Sequence, residues 1–109
     1  MDSTRISTEV YRQIKKTIDF LSQRIQLEKV ILFGSQITKQ SHSESDIDLA
    51  VISDDFEQMS RSEFIDLIWR VHQHCSTRVE IHPYSKKHLQ HVRSTNFLGH
   101  ILSHGRVVS

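Results

Sequence analysis

Residues 30–52 read VILFGSQITKQSHSESDIDLAVI, and the layout of this stretch decides the fold. Four apolar residues, Val30 to Phe33, are halted by Gly34-Ser35; ten residues later a second apolar run is headed by Asp46-Ile47-Asp48. A short continuous apolar run stopped by a turn residue is the pattern of a strand buried on both faces. In the second run, side chains alternate between faces, so Asp46 and Asp48 share one face while Ile47, Leu49 and Val51 take the other. Two residues of strand rise separate the two α-carbons by about 6.5–7 Å, close enough for both carboxylates to hold one hard cation. Gly34 has no side chain to obstruct an approaching group, and backbone N–H groups with the Ser35 hydroxyl can meet an anion at such a turn.

Working outward, Val10, Ile14, Ile18, Leu21 and Ile25 recur at three- and four-residue intervals, which predicts a covering helix from about Ser7 to Ile25. Ser7 or Thr8 can cap it. Residues Gln36–Gln40 can form a short helix or turn, followed by a polar loop through Ser45. Beyond the second strand, Ser60-Arg61-Ser62-Glu63 has capping-box spacing, and Phe64, Leu67, Ile68 and Val71 continue at helical intervals to about His74. Arg78 to His82 alternates polar and apolar before Pro83, the pattern of a third short strand. A last helix or pair of helices, capped by Ser85, carries Leu89, Val92, Phe97, Leu98, Ile101 and Leu102, with Gly105 suited to a left-handed terminating residue. Val107-Val108 reads as an apolar tail against the core or a partner. The expected architecture is α/β (α+β): a small mixed sheet of about three strands, covered by helices mainly on one face.

Length and composition bound the function. A chain of 109 residues is one domain by length, taken as 1–109, and 37% hydrophobic with 25% charged residues is the balance of a soluble globular protein. No apolar run approaches the ~20 residues that span a bilayer, and MDSTRIS lacks a signal-peptide layout, so a cytoplasmic protein without membrane contact is expected. Cys75 is the only cysteine, which excludes an internal disulfide and fits a reducing compartment. A formal net charge of +1 argues against a nucleic-acid-coating protein. The eight histidines include His72-x-His74, His88-x-x-His91 and His100-x-x-x-His104, but a single cysteine and no ordered ligand pattern make solvated or interface histidines the better reading than structural zinc. Phe64 and Trp69 fall in a helical pattern that faces the core or a partner, and Tyr84 can contact a nucleotide base.

Paired strand acids repel unless water, a basic neighbour or a cation compensates. A third acid, Glu80, lies in the third strand, and joins Asp46 and Asp48 if that strand pairs beside the second. Three carboxylates and an anion-binding turn are the parts of metal-dependent phosphoryl chemistry: Mg2+ bridges carboxylates to phosphate oxygens, and a carboxylate can take the proton of an attacking hydroxyl.

Gly34-Ser35, ten residues, then Asp46-x-Asp48 within SDIDLAVI resembles the signature of the DNA-polymerase-β-like nucleotidyltransferases, and the small size resembles their minimal (MNT) members. The resemblance implies a nucleotidyltransferase fold in which Gly34 and Ser35 engage nucleotide phosphates, Asp46 and Asp48 hold Mg2+, and Glu80 is the third catalytic and metal-binding acid. It implies transfer of a nucleoside monophosphate, AMP from ATP, to a hydroxyl with release of pyrophosphate. Minimal members paired with HEPN-domain toxins act as antitoxins, some by adenylylating a toxin tyrosine. A HEPN-domain partner or another substrate-binding subunit, in a homo- or hetero-oligomer, is therefore expected, with a nucleotide and without nucleic acid. The alternatives are a non-catalytic module that neutralises its partner by covering it, and a transferase acting on a small molecule or RNA end beside a separate substrate-binding subunit. Gln36, Ile37 and Thr38 follow Ser35, with Lys39 the nearest cation, which is the feature behind the non-catalytic alternative.

Overall fold

The two apolar runs of residues 30–52 pair as antiparallel strands at the centre of a four-stranded sheet. The computed structural model describes residues 6–34, 36, 46–90 and 96–109. Its order is α1 (Thr8–Ser22), β1 (Lys29–Phe33), β2 (Ile47–Ile52), α2 (Asp55–Gln58), α3 (Arg61–His74), β3 (Val79–Tyr84), α4 (Lys86–Leu89), α5 (Phe97–His104) and β4 (Arg106–Val107). The sheet order is β3-β2-β1-β4, with β2 parallel to β3 and both other pairings antiparallel.

Alternation along the strands sorts residues between two faces. On one, Val30, Leu32, Ile47, Leu49, Val51, Val79 and Ile81 pack with Val10, Ile14 and Leu21 of α1 and Leu67 and Val71 of α3. On the other, Ile31, Phe33 and Ala50 pack with Ile101 of α5. The first face holds the larger core, as expected from the periodicity of α1 and α3. Burial of each of these aliphatic side chains contributes roughly 1.5–3 kcal/mol, so this face carries most of the stability. Thr17, buried within α1, satisfies its hydroxyl by donating to the Gln13 carbonyl at 2.8 Å.

The helix starts follow the sequence reading. Ser7 Oγ accepts the Val10 N–H at 3.1 Å. Ser60 and Glu63 form a reciprocal capping box, with the Glu63 N–H donating to Ser60 Oγ at 3.1 Å and the Ser60 N–H to Glu63 Oε1 at 3.1 Å. Phe64 packs edge-on against Phe56, whereas Trp69 is exposed.

Four expectations are corrected. Helix α1 ends at Ser22 rather than Ile25, because the Arg24 and Ile25 N–H groups both turn onto the Leu21 carbonyl and the chain leaves toward β1. Strand β3 runs on through Pro83 to Tyr84, which is tolerated because β3 is an edge strand with an open side for a residue lacking a donor. Gly105 is not left-handed: its φ is −85° and its backbone is extended. A Cβ there would lie 2.6 Å from the Ile101 carbonyl oxygen and 2.6 Å from Ile31 Cγ2, so the glycine permits close approach rather than a special dihedral. The expected apolar tail forms β4, which pairs with β1 and makes the sheet four-stranded rather than three-stranded. The Val108 N–H extends this edge by donating to the Val30 carbonyl at 2.9 Å. The short helix expected after Ser35 and the position of Val92 lie outside the described residues, apart from Gln36.

Candidate active site

Strand register assembles the acidic cluster. Asp48 in β2 lies opposite Phe33 of β1 on one side and opposite Glu80 of β3 on the other. Directly opposed residues share a sheet face, so Glu80 and Asp48 stand side by side, the condition on which Glu80 was expected to join the site. In the next row along that face, Ala50 lies opposite His82. The small Ala50 side chain leaves room for the imidazole to lean toward Asp48.

His82 Nε2 comes within 3.3 Å of Asp48 Oδ1, with the two side chains 28% and 21% exposed. One donor atom each from Asp48, Glu80 and His82 lie within 4.8 Å of one another. The Phe33 ring meets the imidazole edge-on, at 4.9 Å between centroids, and is itself met by the Phe97 ring at 5.7 Å. The cluster is therefore open to solvent on the Glu80 side and walled by aromatic rings on the β1 side.

Gly34 closes the cluster from the end of β1. It has φ +79°, and a Cβ at this position would lie 2.6 Å from Asp48 Oδ2. Glycine is required here twice over, by the left-handed backbone and by the carboxylate against its α-carbon. The turn and the acid that the sequence separates are thus neighbours in space, the carboxylate lying where a side chain at Gly34 would stand.

Asp46 is exposed and immediately precedes β2, and its carbonyl accepts the Gln36 side-chain amide at 3.2 Å. Its carboxylate is not part of the Asp48–Glu80–His82 group. Ser35 and Lys39 lie outside the described residues. Of the sequence candidates, Gly34, Asp48 and Glu80 are brought together, and His82 is the member that the reading of the acids missed. The signal was present: His82 is two residues after Glu80 and so on the same strand face.

The donor set fits a divalent cation. Two carboxylates in adjacent strands repel unless a positive charge stands between them, and the imidazole offers a further donor atom beside them. The paired histidine spacings elsewhere make local contacts: His72 Nε2 lies 2.8 Å from the Val79 carbonyl, and His100 and His104 stack at 4.2 Å. Cys75 is half-buried, and burial pushes its thiol above the usual cysteine range, the opposite of an activated nucleophile.

Further along the same face, a hollow of about 360 Å3 is lined by Tyr84, Lys87, His88, Asn96, Phe97 and Leu98. Burial raises the Tyr84 phenol above its ordinary value, so it stays neutral at physiological pH.

A family model of the polymerase beta nucleotidyltransferases matches residues 15–109, which include every residue of this cluster. The chain belongs to that family. No match to a curated protein was found by sequence. Among solved structures, this nucleotidyltransferase is similar to a Sulfolobus solfataricus protein assigned as a nucleotidyltransferase, with 17% identity and a TM-score of 0.60 over 78% of this chain and 75% of the other. It is also similar to a chain of a toxin–antitoxin complex with AMP-PNP, at 22% identity and a TM-score of 0.63 over 87% and 71% of the two chains. A third likeness is to a chain of the toxin–antitoxin pair MntA–HpeT carrying two Asp-to-Glu substitutions, at 21% identity and a TM-score of 0.60 over 87% and 70%. At these identities the likeness establishes a shared fold.

Proposed function

We propose that this nucleotidyltransferase moves AMP from ATP onto a hydroxyl of a partner protein of HEPN type and acts as the antitoxin of the pair. The observation that carries the reading is the register that sets Asp48 beside Glu80, with Gly34 against the Asp48 carboxylate. The similarity to two toxin–antitoxin structures, one with AMP-PNP, supports the choice of nucleotide and partner class.

In this reading Asp48 and Glu80 would hold Mg2+, with Asp46, outside their group at the head of β2, as the further acid expected to reach it, and Gly34 and Ser35 would face the nucleotide phosphates. The bound dication supplies charge neutralisation on the phosphate oxygens. The acceptor hydroxyl oxygen forms a bond to the α-phosphorus, the bond from that phosphorus to the bridging oxygen breaks, and pyrophosphate leaves. In this reading Glu80, the exposed acid of the cluster, takes the hydroxyl proton. The side-chain-free α-carbon of Gly34 makes room for the Asp48 carboxylate at the end of β1. The hollow beside Tyr84 and Phe97 has the size and aromatic lining that suit a base.

The test is the intact mass of the co-purifying partner after incubation with ATP and Mg2+. Wild type should add the mass of one or more adenylyl groups, and Asp48→Asn should add none. If wild type and variant are indistinguishable, the transfer reading fails. If millimolar Mg-ATP also produces no calorimetric binding signal, neutralisation by coverage alone takes its place, the outcome suggested by the scarcity of cations near Ser35.

A further inference from the structure

We propose that His82 is a direct metal ligand and that the site therefore prefers a first-row transition dication to Mg2+. The inference rests on the reading of Asp48 and Glu80 as metal ligands and adds which cation class they take.

Three observations point to the imidazole as a ligand rather than a bystander. It presents a ring nitrogen, Nε2, to the Asp48 carboxylate at 3.3 Å. One donor atom from each of Asp48, Glu80 and His82 falls within a single sphere of mutual distances no greater than 4.8 Å. Metal–ligand bonds of about 2.0–2.2 Å place donors on opposite sides of an ion a little over 4 Å apart, so a small inward movement closes all three onto one centre. The ring is also held before any ion arrives. Phe33 braces it edge-on at 4.9 Å, Ala50 opposite leaves it room, and β3 fixes its backbone in register with β2. A donor already oriented loses less side-chain freedom on coordination.

Asp46, the acid expected to complete an all-oxygen set, stands outside this group, and the third donor of the cluster is nitrogen. That exchange matters chemically. Mg2+ is hard and takes oxygen donors in near-ideal octahedra, retaining water rather than accepting imidazole. Imidazole nitrogen suits first-row transition dications, which bind mixed nitrogen and oxygen sites more tightly along the Irving–Williams order. Two carboxylates and an imidazole thus shift selectivity away from Mg2+, with Mn2+ the mildest member of the favoured class.

Mn2+ is the probe. Calorimetric titration of the full chain with MnCl2 and with MgCl2 compares affinities, and pulsed EPR of the Mn2+-loaded protein reads nitrogen coordination through 14N modulation. Wild type should bind Mn2+ more tightly than Mg2+ and show imidazole modulation. His82→Gln, which offers an amide oxygen instead, should lose the modulation and most of the Mn2+ preference while keeping the wild-type circular dichroism. Asp46→Asn should retain the nitrogen signal. Mn2+ bound without 14N modulation, or a Mn2+/Mg2+ ratio unchanged in His82→Gln, overturns the role of His82 and leaves a carboxylate metal site standing. If neither cation binds, even with AMP-PNP present, both this inference and the metal-dependent reading beneath it fail.

Discussion

The two faces of the sheet are made from the same strands and put to different uses. Against α1 and α3, Ile47, Leu49 and Val51 of β2 are buried among aliphatic side chains. One residue along, Asp48 and Ala50 face the other way, where Ala50 joins a small apolar cluster under α5 and Asp48 meets Glu80 and His82. A six-residue strand is thereby split by its pleat into a stabilising half and a chemical half. The consequence is that stability and site chemistry should separate between neighbouring residues.

The sharpest way to break that comparison is to change one residue from each half. Leu49 is fully buried, so Leu49→Ala should cost about 2–5 kcal/mol in urea denaturation through lost burial and a residual cavity. Asp48→Asn is nearly isosteric and should leave the denaturation midpoint within about 0.5 kcal/mol of wild type. If Asp48 is the direct ligand proposed above, the same change should lower divalent-cation affinity by more than the roughly 10–100-fold typical of outer-shell changes. A large stability loss in Asp48→Asn with cation binding intact would show that the carboxylate is structural and the two faces are not separable.

The same pleat explains what was legible in the sequence. Helices α1 and α3 announce themselves because an apolar stripe at three- and four-residue spacing has only one way to be buried. Strands β1 and β2 follow from short apolar runs bounded by turn residues. The placement of Glu80 was conditional, since nothing local to Arg78–His82 says which strand lies alongside or in which register. His82 was readable from its two-residue offset, but its partner was open: Asp48, from a strand 34 residues earlier, is found only after pairing is known. Strand β4, two residues long, is too short to carry a period, and its pairing with Ile31 and Leu32 is a tertiary event. Gly105 shows the converse error. A glycine after a helix favours a left-handed cap by default, but here the crowding of Ile31 and Ile101 against its α-carbon decides, and that crowding is invisible until β1 and α5 meet.

Gly34 joins the two halves, because it ends a core strand and touches the site. Gly34→Ala should cost about 1–2 kcal/mol from the left-handed backbone alone. The added methyl would also meet Asp48 Oδ2 at 2.6 Å, and the carboxylate, at the end of a short side chain, must turn away. Cation affinity should therefore fall together with stability, unlike Leu49→Ala, where it should hold in whatever fraction remains folded. Calorimetric titration below the unfolding midpoint distinguishes them. An affinity unchanged in folded Gly34→Ala would mean that the contact with Asp48 does not position the ligand.

The smallest expected effect lies on the stabilising side and depends on pH. Glu63 closes the capping box of α3, and its hydrogen bonds from the Ser60 backbone and then the Ser60 side chain hold its carboxyl below the ordinary glutamate value. A group with a depressed folded pKa stabilises fully above its unfolded value. The contribution is lost as pH falls through the ordinary glutamate range, about 4.3–4.5, toward the lower folded value. Glu63→Gln keeps the reach and a side-chain acceptor for the Ser60 N–H but cannot titrate, so its stability should change less than that of wild type between pH 6 and pH 3.5. Because the side chain is exposed, the difference should be small and is best read as the divergence of two thermal-midpoint curves taken in the same buffers. Parallel curves would place the cap's stability in its geometry rather than its charge. That would leave α3, the helix that roofs the core face, held by a cap whose strength does not change through the acid range.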